Sequence, residues 1–400
     1  MRGAKKAMQK TEKKVPALRF KGFTDDWEQR KLEYFIEDYI EKTTIQNQYS
    51  VLTSSQKQGI VFQESYFANR QVTTENNIGY FVLPKGYFTY RSRSDNGIFK
   101  FNRNDIVDKG IISYFYPVFK IINGDSDFFL NLLNSKIKKE VSLQSEGTGQ
   151  RVLSLKKFKN INIVSPIWEE QQQIGRLLKE FDTTIALHQR KLDKLKEVKS
   201  AYLQQMFPQS DSSLPRLRFE GFDGDWEQHK LGEITIITMG QSPNSSNYTD
   251  NPKHHILVQG NADMKNGRVR PRVWTTQITK LANKNDLIMS VRAPVGDIGK
   301  TDYDIVIGRG VASIKGNEFI FQLLGKVKSD GYWERISSGS TFESINSSDL
   351  KEAQFSIPTI EEQHQVGNLF NNLDNNISLH QKKLDELKEI KSAFLQKMFI

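Results

Sequence analysis

Four arginines sit at the ends of short β-rich runs. "GYFTYRSRS" carries Arg91 and Arg93, "DLIMSVRAP" carries Arg292, and "IGRGVASIKG" carries Arg309. A guanidinium held at a strand end presents a fixed fork of donors, and that fork fits a guanine edge in a DNA major groove bidentately. Most surface arginines are only solvated or paired with a carboxylate, so position carries more of this argument than residue type. Two turns add a second chemistry. Gly147-Thr148 and Gly339-Ser340-Thr341 offer backbone N–H and hydroxyl donors of the kind that cradle a phosphate. The same composition also makes ordinary surface turns. Aromatic groups at Tyr87 to Tyr90 and Tyr114 to Tyr116 could stack on bases, but such residues are more often core.

A catalytic centre is not legible. "GDIGKT" resembles the tail of a phosphate loop, yet Pro294 stands where that loop needs a glycine. "GRGVAS" lacks the third glycine of a dinucleotide fingerprint, and no nucleophile elbow is present. The 6 histidines show no zinc-ligand spacing, and the chain has 0 cysteines, which excludes disulfides and thiolate metal sites. The reading is a binder with no catalytic and no metal-ligating residues.

Composition agrees. The formal net charge of +10 favours an anionic partner, nucleic acid first. Residues 35–165 hold 17 Lys/Arg against 12 Asp/Glu. No run of about 18 apolar residues is seen, so no membrane span is expected. The first residues, "MRGAKKAMQKTEKKV", are basic without an apolar segment and read as a flexible lead-in rather than a secretory signal; Met8 is a second candidate start. A cytoplasmic location fits.

The elements that must position these groups are written twice. "PALRFKGFTDDWEQRKL" (Pro16 to Leu32) returns as "PRLRFEGFDGDWEQHKL" (Pro215 to Leu231), with 12 of 17 positions identical at an offset of 199. A second pair follows. "EEQQQIGRLLKEFDTTIALHQRKLDKLKEVKSAYLQQMF" (Glu169 to Phe207) returns from Glu361 to Phe399 with 24 of 39 positions identical, at an offset of 192. The order is therefore phrase, variable segment and helix, repeated, with the second variable segment seven residues shorter.

The long duplicated stretches are helical by pattern. Apolar positions Ile174, Leu178, Phe181, Ile185, Leu192 and Leu195 step by four and three, the heptad spacing of a coiled-coil seam. Val366, Phe370, Leu373, Ile377, Leu384 and Leu387 fall on the same grid. His188 and His380 occupy equivalent seam positions and read as polar register setters rather than metal ligands. Each stretch starts after a proline (Pro166, Pro358) with a Glu-Glu pair, which suits a helix N-terminus. About 40 residues make a rod of roughly 60 Å. Its apolar stripe needs a partner, and the other copy, antiparallel if the halves are pseudo-twofold related, is the nearest one. The two variable segments, read as α+β, would then sit at opposite ends of this spacer. "GYFTYRSRS" lies opposite "DLIMSVRAP", and "KGIISYFYPVFKI" opposite "IGRGVASIKG".

These motifs together resemble the specificity subunit of a type I restriction–modification system. "LRFxGFxxDWEQxKL" opens each half, "P-x-x-EEQ-x-x-(I/V)-G" opens each long helix, and "KLDxLKExKSAxLQxMF" closes it. The resemblance covers nearly the whole chain. It implies an α+β fold of two target recognition domains, pseudo-twofold related and separated by a long antiparallel two-helix coiled coil. The expected boundaries are lead-in 1–15, first recognition domain 16–165, first long helix 166–207, linker 208–214, second recognition domain 215–357 and second long helix 358–400. Each domain would read one half of a split, asymmetric DNA target, and the helices would set the gap and dock two methyltransferase subunits. The chain itself would carry no cofactor. The resemblance places S-adenosylmethionine, ATP and Mg, as an expectation, on the partner modification and restriction subunits. Base contacts are expected from Arg91, Arg93, Gln150, Asn261, Arg292 and Arg309, and phosphate contacts from Thr148, Arg151, Lys265, Ser340 and Thr341. The first segment lacks the "R-x-P-V-G" turn of the second. The other reading is a non-catalytic coiled-coil scaffold presenting two protein-interaction domains.

Overall fold

The structure is a computed structural model and describes residues 15–67, 76–209, 212–337 and 343–400. Two compact units form. One comprises the chain up to His188 together with Lys383–Ile400, and the other is Gln189–Lys382. Each unit therefore mixes the two halves: the end of one half's long helix belongs to the unit built by the other half.

In the first unit, strand Glu28–Lys31 pairs antiparallel with Asn162–Ser165 and ties the two ends of the segment together. Between them lies a four-stranded sheet ordered Ile36–Tyr39, Val118–Ile121, Phe88–Tyr90, Phe101–Arg103. Its buried face carries Phe88, Phe101 and Phe119 against Phe158, and helix Ser126–Ser135 packs beside it. The Asp125 carboxylate caps that helix by accepting from Phe128 N at 2.8 Å.

In the second unit, Glu227–Lys230 and Gln354–Ile357 make the same closing pair. The sheet is larger here, with six strands ordered Ile237–Met239, Val311–Ile314, Leu287–Ser290, Ile298–Lys300, Arg268–Val269 and Met264–Lys265. A five-stranded sheet, from Tyr248–Thr249 to Leu281–Ala282, accompanies it. Asn317 caps helix Glu318–Ser329 through Ile320 N at 3.0 Å, as Asp125 does in the first unit.

The long helices run Trp168–Gln205 and Ile360–Lys397. Within the first unit Phe181 meets Phe394 at 5.5 Å and Lys391 pairs with Asp182 at 2.5 Å. Within the second, Lys199 pairs with Asp374 at 2.7 Å and Phe207 meets Phe370 at 5.9 Å. Each unit thus contains an antiparallel helix pair. Among the seam positions Ile174, Leu178, Leu192, Val366, Phe370, Leu384 and Leu387 are buried, while Phe181, Ile185, Leu195, Leu373 and Ile377 are half-buried.

The repeated phrase is the clamp at which these elements meet. Arg19 grips Glu170 in the first turn of the first long helix with two bonds, 2.8 and 2.6 Å, and Leu18 N donates to Lys397 O near the end of the second long helix. Arg218 grips Glu362 at 2.9 and 2.7 Å, and Leu217 N donates to Gln205 O. Glu170 and Glu362 are fully buried, and the hydrogen bonds to them raise both arginines above their ordinary values. Trp27, Phe128 and Phe399 form a three-ring cluster, with Trp27 edge-on to Phe399 at 6.3 Å. Trp226, Phe319 and Phe207 repeat it at the same 6.3 Å for the Trp226–Phe207 pair.

The helix-opening motif has an equally structural basis. Gln171 donates to Pro166 O and accepts from Asp125 N, and Gln363 donates to Pro358 O and accepts from Asn317 Nδ2. Gly175 and Gly367 let the domain helix approach closely. A Cβ on Gly175 would lie 2.2 Å from Asp125 Oδ1, and one on Gly367 2.9 Å from Glu318 Cβ.

Candidate nucleic-acid interface

Three connections fix the first unit's arginines. Tyr90 is buried beneath them and donates to Leu153 O at 3.0 Å; desolvation pushes its phenol up, so the donor stays protonated. Ser92 N donates to Phe115 O, and Leu153 N donates to Ser92 O, both at 2.9 Å. Arg91 and Arg93 emerge exposed from this knot. The Arg93 guanidinium lies over the Phe115 ring at 5.0 Å. A cleft of about 390 Å³ opens here, lined by Arg91, Arg93 and Gln150 with Gln63, Phe115 and Tyr116 among its other walls. The Gln150 amide is held by Asp95 at 2.7 Å, which orients it.

The Gly147 turn delivers Thr148 and Gln150 to the same edge. Gly147 has φ of 100°, and a Cβ there would sit 2.3 Å from Gln150 O, so the turn requires glycine. Thr148 is exposed. Arg151 is half-buried, pairs in register with Ser94, and donates to Ser145 O at 3.3 Å. That bond directs part of its donor capacity inward.

The second unit builds its edge from different parts. Val291 N donates to Gly310 O at 2.9 Å and Ile345 N to Val291 O at 3.0 Å, which brings the Arg292 and Arg309 backbones alongside one another. Both side chains are exposed. Arg309 N is anchored on Ser242 Oγ at 3.1 Å. Asn261 is half-buried in the turn Asn261–Asp263, whose Asp263 carboxylate accepts from Gln259 N, Gly260 N and Arg272. Lys265 is exposed on the edge strand Met264–Lys265. Ser340 and Thr341 lie outside the described residues.

Two features escaped the sequence reading. Tyr114 belongs to an aromatic run for which base stacking and, more often, core packing are both open, and it is 62% exposed, whereas Phe88 and Tyr90 are buried. Gln259 is half-buried beside the Arg309 loop, with its Oε1 accepting from Tyr248 Oη at 3.1 Å. An uninterrupted aromatic run does not show which ring turns outward, so no sequence signal separates Tyr114 from its neighbours. Among the described residues there is no cluster of three or more metal-binding side chains, and no helix long and apolar enough to cross a membrane.

The chain was compared with known proteins. The profile of the type I restriction modification DNA specificity domain matches residues 5–197 and again 223–389. A Methanocaldococcus jannaschii protein provisionally named the type I restriction enzyme MjaX specificity subunit is 28% identical over 264 residues, covering 63% of this chain and 62% of that protein. The chain thus spans less than two thirds of that relative. The type I restriction enzyme MjaVIII specificity subunit of the same organism is 22% identical over 309 residues, 72% of this chain and 73% of its own. Among solved structures, the S subunit of a type I restriction–modification system from M. genitalium superposes with a TM-score of 0.68 at 14% identity, over 96% of this chain and 99% of that one. A chain from a study of complex assembly and conformational transition in the type I R-M system gives 0.51 at 20% identity, over 96% and 99%. These likenesses agree on the fold. Two profile matches cover most of the sequence, and the two units carry the same clamp and the same closing strand pair, each below an edge of exposed arginines: the chain belongs to the type I restriction–modification DNA specificity domain family.

Proposed function

We propose that this chain is the specificity subunit of a type I restriction–modification complex, in which each recognition domain reads one half of a bipartite, asymmetric DNA target. One observation carries the reading. The two units share the arginine–glutamate clamp, the closing strand pair and the Trp–Phe–Phe cluster, and on that frame each exposes arginines at a strand end among otherwise different neighbours. A shared mount with unlike reading edges suits a non-palindromic target, because a single duplicated chain escapes the palindrome that a homodimer imposes. The arginines discriminate bases. Thr148, Arg151 and Lys265 position the phosphate backbone.

The paired long helices set the gap between half-sites and dock two methyltransferase subunits. Adenine methylation with S-adenosylmethionine, and ATP- and Mg-dependent translocation and cleavage, reside on those modification and restriction partners in the cytoplasm. The test exchanges residues 232–356 for the corresponding segment of another family member and maps methylated adenines genome-wide. One half-site should change completely and the other not at all. An unchanged target sequence overturns the reading. Inserting one heptad in each long helix should lengthen the gap and leave both half-sites alone.

A further inference from the structure

The backbone register makes Tyr114 and Arg309 the same position in the two recognition domains. Ser92 N donates to Phe115 O as Val291 N donates to Gly310 O, each at 2.9 Å. Leu153 N donates to Ser92 O as Ile345 N does to Val291 O. Strand pairing agrees, since Thr89↔Val118 answers Ile288↔Ser313 and Phe88↔Arg103 answers Leu287↔Lys300. The ion pair behind the strand corresponds too: Arg103 holds Asp127, and Lys300 holds Glu318, both in the first turn of the domain helix. On this register Arg93 answers Arg292, Phe115 answers Gly310, and Tyr114 answers Arg309.

The two edges then differ in kind at matched places. In the first domain the Arg93 guanidinium lies over the Phe115 ring and the Tyr114 ring packs beside it, the two rings tilted at 40° with centroids 4.2 Å apart, so that the three groups form one contiguous array. The array holds an exposed tyrosine ring where the other domain has a guanidinium. In the second domain no such array can form. A Cβ at Gly310 would lie 2.0 Å from Gln259 O, so no aromatic residue fits there, and Arg309 stands exposed on its Ser242 anchor.

We propose that this shared position determines specificity in both half-sites: Arg309 selects a guanine through its bidentate fork, and Tyr114 selects a thymine at the matching step by laying its ring against the C5-methyl group. The proposal rests on the DNA-reading function proposed above. The test coexpresses the chain with its modification partners in cells without other adenine methylation, and maps methylated sites by sequencing. Arg309→Tyr should weaken the guanine preference at one position of the second half-site by roughly 5- to 150-fold, with the first half-site unchanged. Tyr114→Arg should shift one position of the first half-site from thymine to guanine and leave the second alone. If the unaltered chain directs no sequence-specific methylation, the DNA-reading function itself fails. If it directs methylation and both variants keep the original motif, this proposal alone is overturned. Should either variant fail to assemble, Arg309→Ala and Tyr114→Ala carry the same test. Each keeps the backbone and removes the fork or the ring, so each should relax one position only, and an unchanged motif overturns the proposal.

Discussion

The two recognition domains differ most where their surfaces are exposed and least where they grip the long helices. Arg19–Glu170 and Arg218–Glu362 have the same two-bond geometry, and the Trp–Phe–Phe clusters agree within 1 Å for every ring pair. The sheets behind the reading edge do not agree: among the described residues one domain has a four-stranded sheet with separate two-stranded pairs, the other a six-stranded and a five-stranded sheet. Buried contacts tolerate little variation because a lost partner leaves a charge or a void uncompensated. An exposed edge has no such cost, so it is free to diverge. The duplicated residues therefore mark the mount, and the reading chemistry lies in what is not duplicated.

The mount offers the largest effects. Arg19→Ala strands the fully buried Glu170 carboxylate and should destabilise the first unit by about 3–5 kcal/mol in a denaturant titration. Arg218→Ala should cost less in the second, because Glu362 keeps the Trp226 indole N–H at 3.2 Å, while Trp27 Nε1 has no hydrogen-bond partner among the described residues. Equal losses would show that the indole bond contributes nothing.

Phe207→Ala and Phe399→Ala test the exchange of helix ends. Each should cost about 3–5 kcal/mol, in the unit opposite to the half that supplies the phenylalanine. Hydrogen exchange resolved by domain would show it, and protection lost in the same half's domain instead would refute the exchange. The helix glycines follow at about 1–3 kcal/mol. Gly175→Ala should cost more than Gly367→Ala, because its neighbours at 2.2 and 2.8 Å are closer than those at 2.9 and 3.1 Å and include a capping carboxylate. The reverse order in thermal melts would contradict this packing.

On the reading edge, Arg292→Ala should lose about 1–3 kcal/mol of discrimination at the second half-site only, checked by competition binding of the assembled complex with single-base variants. The seam ion pairs come last. Lys199→Ala and Lys391→Ala should each cost about 0.2–1 kcal/mol. Lys199 should be the larger, because its partner Asp374 is less exposed than Asp182 and also accepts from Gln322 at 2.8 Å.

The seam grid, the start of each long helix after its proline and the paired segments were all legible, since heptad spacing and duplication are properties of order along the chain. Register was only nearly so. Taken end to end, "GYFTYRSRS" and "DLIMSVRAP" align at an offset of 200, whereas the strand hydrogen bonds set it at 199, the offset of the opening phrase. One residue decides which arginines correspond, and in a strand one residue also decides the face. Arg91, Arg93, Arg292 and Arg309 were legible as strand-end cations. That Arg93 lies on Phe115, that Arg151 turns toward Ser145 and that Tyr114 faces outward were not, because each depends on a chain segment distant in sequence.

Sequence alone determined the duplicated architecture, the α+β character of each half, the long helices and the family, because repeats and periodicity need no knowledge of neighbours. Tertiary structure alone decided that each domain is completed by the other half's helix end, that Glu170, Gln171 and Gly175, with Glu362, Gln363 and Gly367, lock the start of each long helix to its domain, and that Tyr114 occupies the place of Arg309. Those are facts of which surfaces meet, and surfaces meet only after the chain has closed on itself.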